Sequence, residues 1–102
     1  MSEIALLIRH KTRPGKRDEV VKLWERHLRS SIADNPAHEA YSYCLDNGDE
    51  DSILALQQYT NLEESQRFLA HPSYLAYLAE VESLLARPPE VTSLTPLWRK
   101  GA

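Results

Sequence analysis

The chain has 102 residues, 42% of them hydrophobic and 26% charged, which is enough for one domain with its own core and too little for two. A net charge of −3 gives no electrostatic footprint for nucleic acid or an anionic membrane. The single cysteine, Cys44, excludes an intrachain disulfide and a multi-cysteine metal site. No stretch approaches a membrane span, and the apolar part of MSEIALLIRHK is too short for a signal peptide, so a cytoplasmic location is expected.

Ile4 to His10 is a short apolar run rich in β-formers and reads as a central strand. Alternation puts Ile4, Leu6, Ile8 and His10 on one face and Ala5, Leu7 and Arg9 on the other. Pro14-Gly15 signals a turn. From Lys16 to Ile32, Val20, Trp24, Leu28 and Ile32 recur every fourth residue, predicting a helix with Lys22, Glu25, Arg26 and Arg29 toward water. The Ala33–Pro36 segment ends it. Glu39 to Leu45 is a second strand, with Tyr41, Tyr43 and Leu45 on one face and Ser42 and Cys44 on the other. Asn47-Gly48 opens a polar hairpin loop.

Ser52 to Tyr59 is the third strand, and its unbroken Ile53–Leu56 run suits burial on both faces. Asn61 is placed as a helix N-cap, with Glu64 three residues on as the other half of a capping box. Leu62, Phe68 and Leu69 give that helix its apolar stripe. Pro72 ends it and opens a further helical segment, Ser73 to Ala86, with Leu75, Leu78, Val81, Leu84 and Leu85 on an apolar side. After Arg87-Pro88-Pro89, Glu90 to Trp98 is the last strand. The order is β-α-β-β-α-β, a ferredoxin-like α+β fold whose second helix is broken at Pro72, as one domain over residues 1–102.

In such a fold helices cover one face of the sheet, yet strands one and three carry large aliphatic side chains on both. A second copy packed sheet to sheet would cover the rest, so a twofold homodimer is expected, with the last strand reaching toward the partner through Leu94, Leu97 and Trp98.

The sequence has no glycine-rich dinucleotide loop, no phosphate loop and no His-x-x-x-His spacing, and its four histidines lie on separate elements. No flavin, nicotinamide or metal is therefore expected. The polar and aromatic groups that could project between sheet and helices are His10, Tyr41, Tyr43, Gln57, Tyr59, Phe68, His71 and Tyr74. His10 is a candidate base because imidazole titrates near neutral pH, or else a solvated strand end. His71, just before Pro72, is a ligand contact or a helix-junction cap. The tyrosines and Trp24 equally fit core packing, and His27 and His38 read as surface residues. Gln57, mid-strand in an apolar run, needs a partner if buried, and a substrate oxygen could be one.

The run Gln57-x-Tyr59, a helix, then Phe68-Leu-Ala-His71-Pro72-Ser73-Tyr74 resembles the centre of the antibiotic biosynthesis monooxygenase (ABM) domain family. Thr12-Arg-Pro-Gly-Lys16 with a following Leu-Trp-Glu helix, and Tyr41-Ser-Tyr-Cys-Leu-Asp46, resemble that family's opening and second strand. The resemblance implies a dimeric α/β barrel and a cofactor-independent monooxygenase-like oxidoreductase for a small aromatic or quinol. In that reading His10 or His71 is the base, Gln57 and Tyr59 orient the substrate with Tyr41 beside them, and Phe68 and Tyr74 form apolar walls. Where the family usually has Glu-x-Trp, this chain has Gln57 and Tyr59, and the family's two histidine positions hold Phe68 and Ser73. The heme-degrading branch's ligand positions hold aliphatic residues, Phe68 and Leu78, so a heme iron has no imidazole there. The alternatives are a non-catalytic small-molecule-binding dimer and an isomerase of small lactones or ketones.

Overall fold

A computed structural model of the chain describes residues 3–100. Four antiparallel strands, β1 (Ile4–Lys11), β2 (His38–Leu45), β3 (Ser52–Tyr59) and β4 (Glu90–Leu94), form one sheet in the order β2-β3-β1-β4. Helices α1 (Arg17–His27), α2 (Arg29–Ala33), α3 (Leu62–Leu69) and α4 (Pro72–Val81) cover one face of it, giving the expected α+β, ferredoxin-like arrangement. Among the described residues no helix is long and apolar enough to cross a membrane.

Register places the candidate site on a single face. Leu6 pairs with Gln57, which pairs with Tyr41; Ile8 pairs with Ala55, which pairs with Tyr43; His10 pairs with Ile53. Because strand side chains alternate, these rows all face the helices. The core lies between, built from Leu6, Ile8, Ile53 and Ala55 of the sheet and Val20, Leu28, Phe68 and Val81 of the helices.

The helix break at Pro72 has the predicted chemistry. Asn61 Oδ1 accepts from the Glu64 amide at 2.9 Å and starts α3. The other half of the capping box is not formed, since the Glu64 carboxylate pairs with Arg67 at 2.7 Å instead. Pro72 takes the first position of α4, whose N-cap is His71: its Nδ1 accepts from the Ser73 amide at 3.0 Å.

Three boundaries differ from the expectation. The first helix is interrupted at Leu28, where Ser31 Oγ reaches back to the His27 and Leu28 carbonyls and competes with the helical ladder. The helix after Pro72 stops at Val81 and tightens into a 3₁₀ turn over Glu82–Leu84. Its buried stripe is Tyr74, Tyr77 and Val81, while Leu75 faces solvent. The last strand ends at Leu94, and Leu97 (95% exposed) and Trp98 (81% exposed) lie beyond it.

The other face of the sheet carries Leu7, Leu54, Leu56 and Leu94, with Leu56 49% exposed. The Ile53–Leu56 run is thus buried on the helix side and open on the other. Cys44 stands exposed on this open face.

Candidate functional site

The space between sheet and helices narrows to a cavity of about 20 Å³, room for about one water molecule. Its floor is the sheet rows of Ile8, His10, Ala55 and Gln57. Leu28, Tyr74 and Tyr77 roof it. The remaining side is Trp24, Tyr41 and Tyr43, lining residues that are only half-buried, so the cavity meets solvent there.

These three form one unit. The Trp24 ring stacks on Tyr43 with centroids 4.0 Å apart and planes 8° from parallel. Its Nε1–H donates to the Tyr41 hydroxyl at 3.2 Å. Trp24, placed by sequence in the helix's buried stripe, is therefore a gatepost of the cavity.

His10 is 6% exposed and its ring stacks on Tyr77 with centroids 5.7 Å apart. Burial disfavours the imidazolium and pulls its pKa below the ordinary 6.5, partly opposed by the Arg9 backbone. At neutral pH it is an uncharged base facing the cavity. The tyrosines go the other way: burial pushes Tyr41 up to about 12, with the Trp24 hydrogen bond opposing, and Tyr74 up to about 12. Tyr43, Tyr59 and Tyr77 are raised for the same reason. These phenols are donors and packing surfaces at neutral pH, and none is a base.

Gln57 is 1% exposed. Its Oε1 accepts the hydroxyl proton of Tyr59, and its Nε2 is buried with no partner among the described residues. The Tyr43 hydroxyl faces that of Tyr77. The cavity thus presents a neutral base, polar groups of Gln57 and the tyrosines, and aromatic rings around them.

His10, Tyr41, Tyr43, Gln57 and Tyr74 of the sequence candidates meet at this cavity. Tyr59 and Phe68 form a second layer: Tyr59 holds Gln57, and Phe68 packs on Tyr74 with centroids 5.2 Å apart. His71 stands elsewhere. It lines a surface groove with Asp34, Asn35, Glu64 and Arg67, and caps α4.

Sequence reading missed Tyr77 and His38. Tyr77 follows Tyr74 by three residues, a helical spacing that was legible. His38, expected at the surface, packs against Tyr59 (centroids 4.5 Å) and edge-on to Phe68 (4.8 Å) and Tyr41. Burial lowers its pKa, opposed by a hydrogen bond with the Gln57 side chain. A bulge between His38 and Ala40 brings it to the helix side together with Tyr41; plain alternation would separate the two.

Among the described residues no cluster of His, Cys, Asp and Glu is placed to hold a metal ion. Residues 3–80 match the family model described as "Antibiotic biosynthesis monooxygenase". The chain belongs to that family. No curated protein matches it.

Solved structures share the fold. Rv0793 from Mycobacterium tuberculosis is similar at a TM-score of 0.86 and 24% identity, over 98% of this chain and 100% of that one. NE2512 from Nitrosomonas europaea, described as a protein of unknown function, reaches 0.84 at 18% identity over 98% and 94%. A variant of SnoaB, a cofactor-independent oxygenase from Streptomyces nogalater, reaches 0.80 at 18% identity over the whole of both chains. At these identities the likeness is one of fold.

Proposed function

We propose that the protein is a cofactor-independent monooxygenase-like oxidoreductase acting on a small aromatic or quinol, and that it works as a homodimer, a dimeric α/β barrel of two single-domain subunits. The observation that carries the reading is His10: a buried, neutral imidazole facing an aromatic-lined cavity. Family membership and the fold shared with a cofactor-independent oxygenase support it.

In this reaction His10 accepts the phenolic proton of the substrate. The resulting phenolate is electron-rich enough to pass one electron to dioxygen, and the radical pair combines to form a carbon–oxygen bond. One oxygen atom stays on the ring and the other leaves as water, so a hydroquinone becomes a hydroxyquinone. The protein contributes the base, a dry aromatic enclosure, and Gln57, held by Tyr59, to orient the ring, with Tyr41 at the mouth and Tyr74, backed by Phe68, as a wall. His10, inside the cavity, is the base; His71 is a helix cap. An aromatic ring exceeds the present cavity, and the Trp24 side is where it opens.

The open sheet face supports the dimer: Leu7, Leu54, Leu56 and Leu94 make an apolar surface that a second sheet would cover, and Leu97 and Trp98 are free to cross onto it. Oxygen uptake with a panel of hydroquinones tests the activity, and it is expected in the wild type and lost in His10→Ala. Ligand-induced melting shifts without turnover, under air or argon, would instead mark a binding protein. Turnover indifferent to oxygen would mark an isomerase.

A further inference from the structure

Tyr77, in the middle of α4, is 2% exposed and lines the cavity beside His10. The two rings lie face to face, with centroids 5.7 Å apart and planes 19° from parallel. An aliphatic residue would fill the same space without the cost of burying a hydroxyl. What a ring adds is a flat surface, and a hydroxyl that finds a partner fixes how that surface lies.

Tyr77 is held on several sides. Its hydroxyl meets the Tyr43 hydroxyl on β2, and Tyr43 is clamped in turn by the Trp24 ring of α1, with centroids 4.0 Å apart. Tyr74, one turn back along α4, stacks on it with centroids 6.2 Å apart. His10, near the end of β1, is held less firmly. A hydrogen bond with the Arg9 backbone ties its ring at one point and leaves the ring plane free to turn about that point. The stack on Tyr77 supplies the missing constraint.

We propose that Tyr77 is a positioning residue for His10: its ring fixes the plane of the imidazole, so that the free ring nitrogen stays aimed into the cavity. The inference rests on the assignment of His10 as the base for its bearing on turnover, while the positioning itself is a property of the resting protein. Tyr77 acts through His10 and takes no proton itself; burial raises its pKa, so its phenol stays protonated at neutral pH. Misplacing a catalytic group by about 1 Å costs on the order of 10²-fold in rate, so a flat neighbour that removes one rotation has a measurable effect.

The test combines proton NMR titration of the His10 ring without substrate, assigned by comparison with His10→Gln, and the pH profile of hydroquinone-dependent oxygen uptake. In Tyr77→Leu the imidazole should gain rotation and water, so its titration midpoint moves up toward 6.5. Its kcat should fall by about tenfold or more with KM changed less than about twofold, and the acid limb of the profile should move up with the titration. Tyr77→Phe, which keeps the ring, should restore the midpoint and most of the rate; Tyr77→Met serves if the leucine variant does not fold. Val81→Ala removes packing from the same helix outside the cavity, and should lower the melting temperature without moving the midpoint or the rate. A His10 midpoint that is the same in the wild type and the leucine variant, a phenylalanine variant that behaves like the leucine one, or an equal shift in Val81→Ala overturns the proposal. Absence of oxygen uptake in the wild type would overturn the oxidoreductase reading alone, since the titration still reads the positioning.

Discussion

Trp24 on α1 donates its indole N–H to the hydroxyl of Tyr41 on β2 at 3.2 Å, and this bond tethers the two residues at the half-buried side of the cavity. In Trp24→Phe the stack on Tyr43 is kept and the bond is lost. Thermal melting should show a loss of about 1 kcal/mol. Entry of aromatic ligands should become faster in stopped-flow fluorescence, because the Tyr41 side of the mouth is no longer tethered.

The two buried histidines set an acid limit on stability. Both His10 and His38 have folded pKa values below the ordinary 6.5, burial being the main cause. Above that value folded and unfolded chains both carry neutral imidazoles, and the groups have no effect on the pH dependence. As pH falls below it the unfolded chain takes up protons that the fold refuses, so stability declines until the folded pKa is reached. Denaturant unfolding from pH 7.5 to 5.0 should show this slope, and His38→Phe should flatten part of it.

Asp49 in the β2–β3 loop is bound by Lys11 at 2.6 Å, by the Asp51 amide at 3.0 Å and by the Ser52 hydroxyl at 2.8 Å. Together, with Lys11 foremost, they hold its pKa well below the ordinary 3.8. The contribution is fully present above the ordinary value and fades as pH falls toward the lowered one. Asp49→Asn should therefore melt earlier than the wild type at pH 7, with the gap closing in acid.

His71 and Asn61 both serve as helix caps. Asn61→Ala should cost about 1 kcal/mol of stability. His71→Ala should also lower the melting temperature while leaving turnover unchanged, since the ring lies outside the cavity; lost turnover with an intact fold would move the base from His10 to His71.

The element order and the break at Pro72 were legible because they depend on local chemistry: the apolar run of β1, the cap at Asn61 and the missing amide of Pro72 are each written in a few adjacent residues. That His10, Tyr41, Gln57 and Tyr59 share a face was an assumption at the level of sequence, because parity orders side chains within a strand and only the register aligns them between strands. His38 was not legible, because a one-residue bulge at the start of β2 reverses its facing and leaves no mark in composition. Glu64 was expected to complete a capping box, but Arg67, one turn away, offers its carboxylate a cation. The tail beyond Leu94 reads as strand from its β-branched and apolar residues, yet a strand needs a neighbour, and β1 pairs with β4 only through Leu94.

The base assignment at His10 is tested most directly by the pH profile of hydroquinone-dependent oxygen uptake in the wild type and in His10→Gln. The wild type should lose kcat/KM on the acid side through a pKa below 6.5. The variant should lack that limb and turn over about 10²- to 10⁴-fold more slowly. A His10→Gln protein that folds and consumes oxygen at the wild-type rate, with the same profile, would contradict the account.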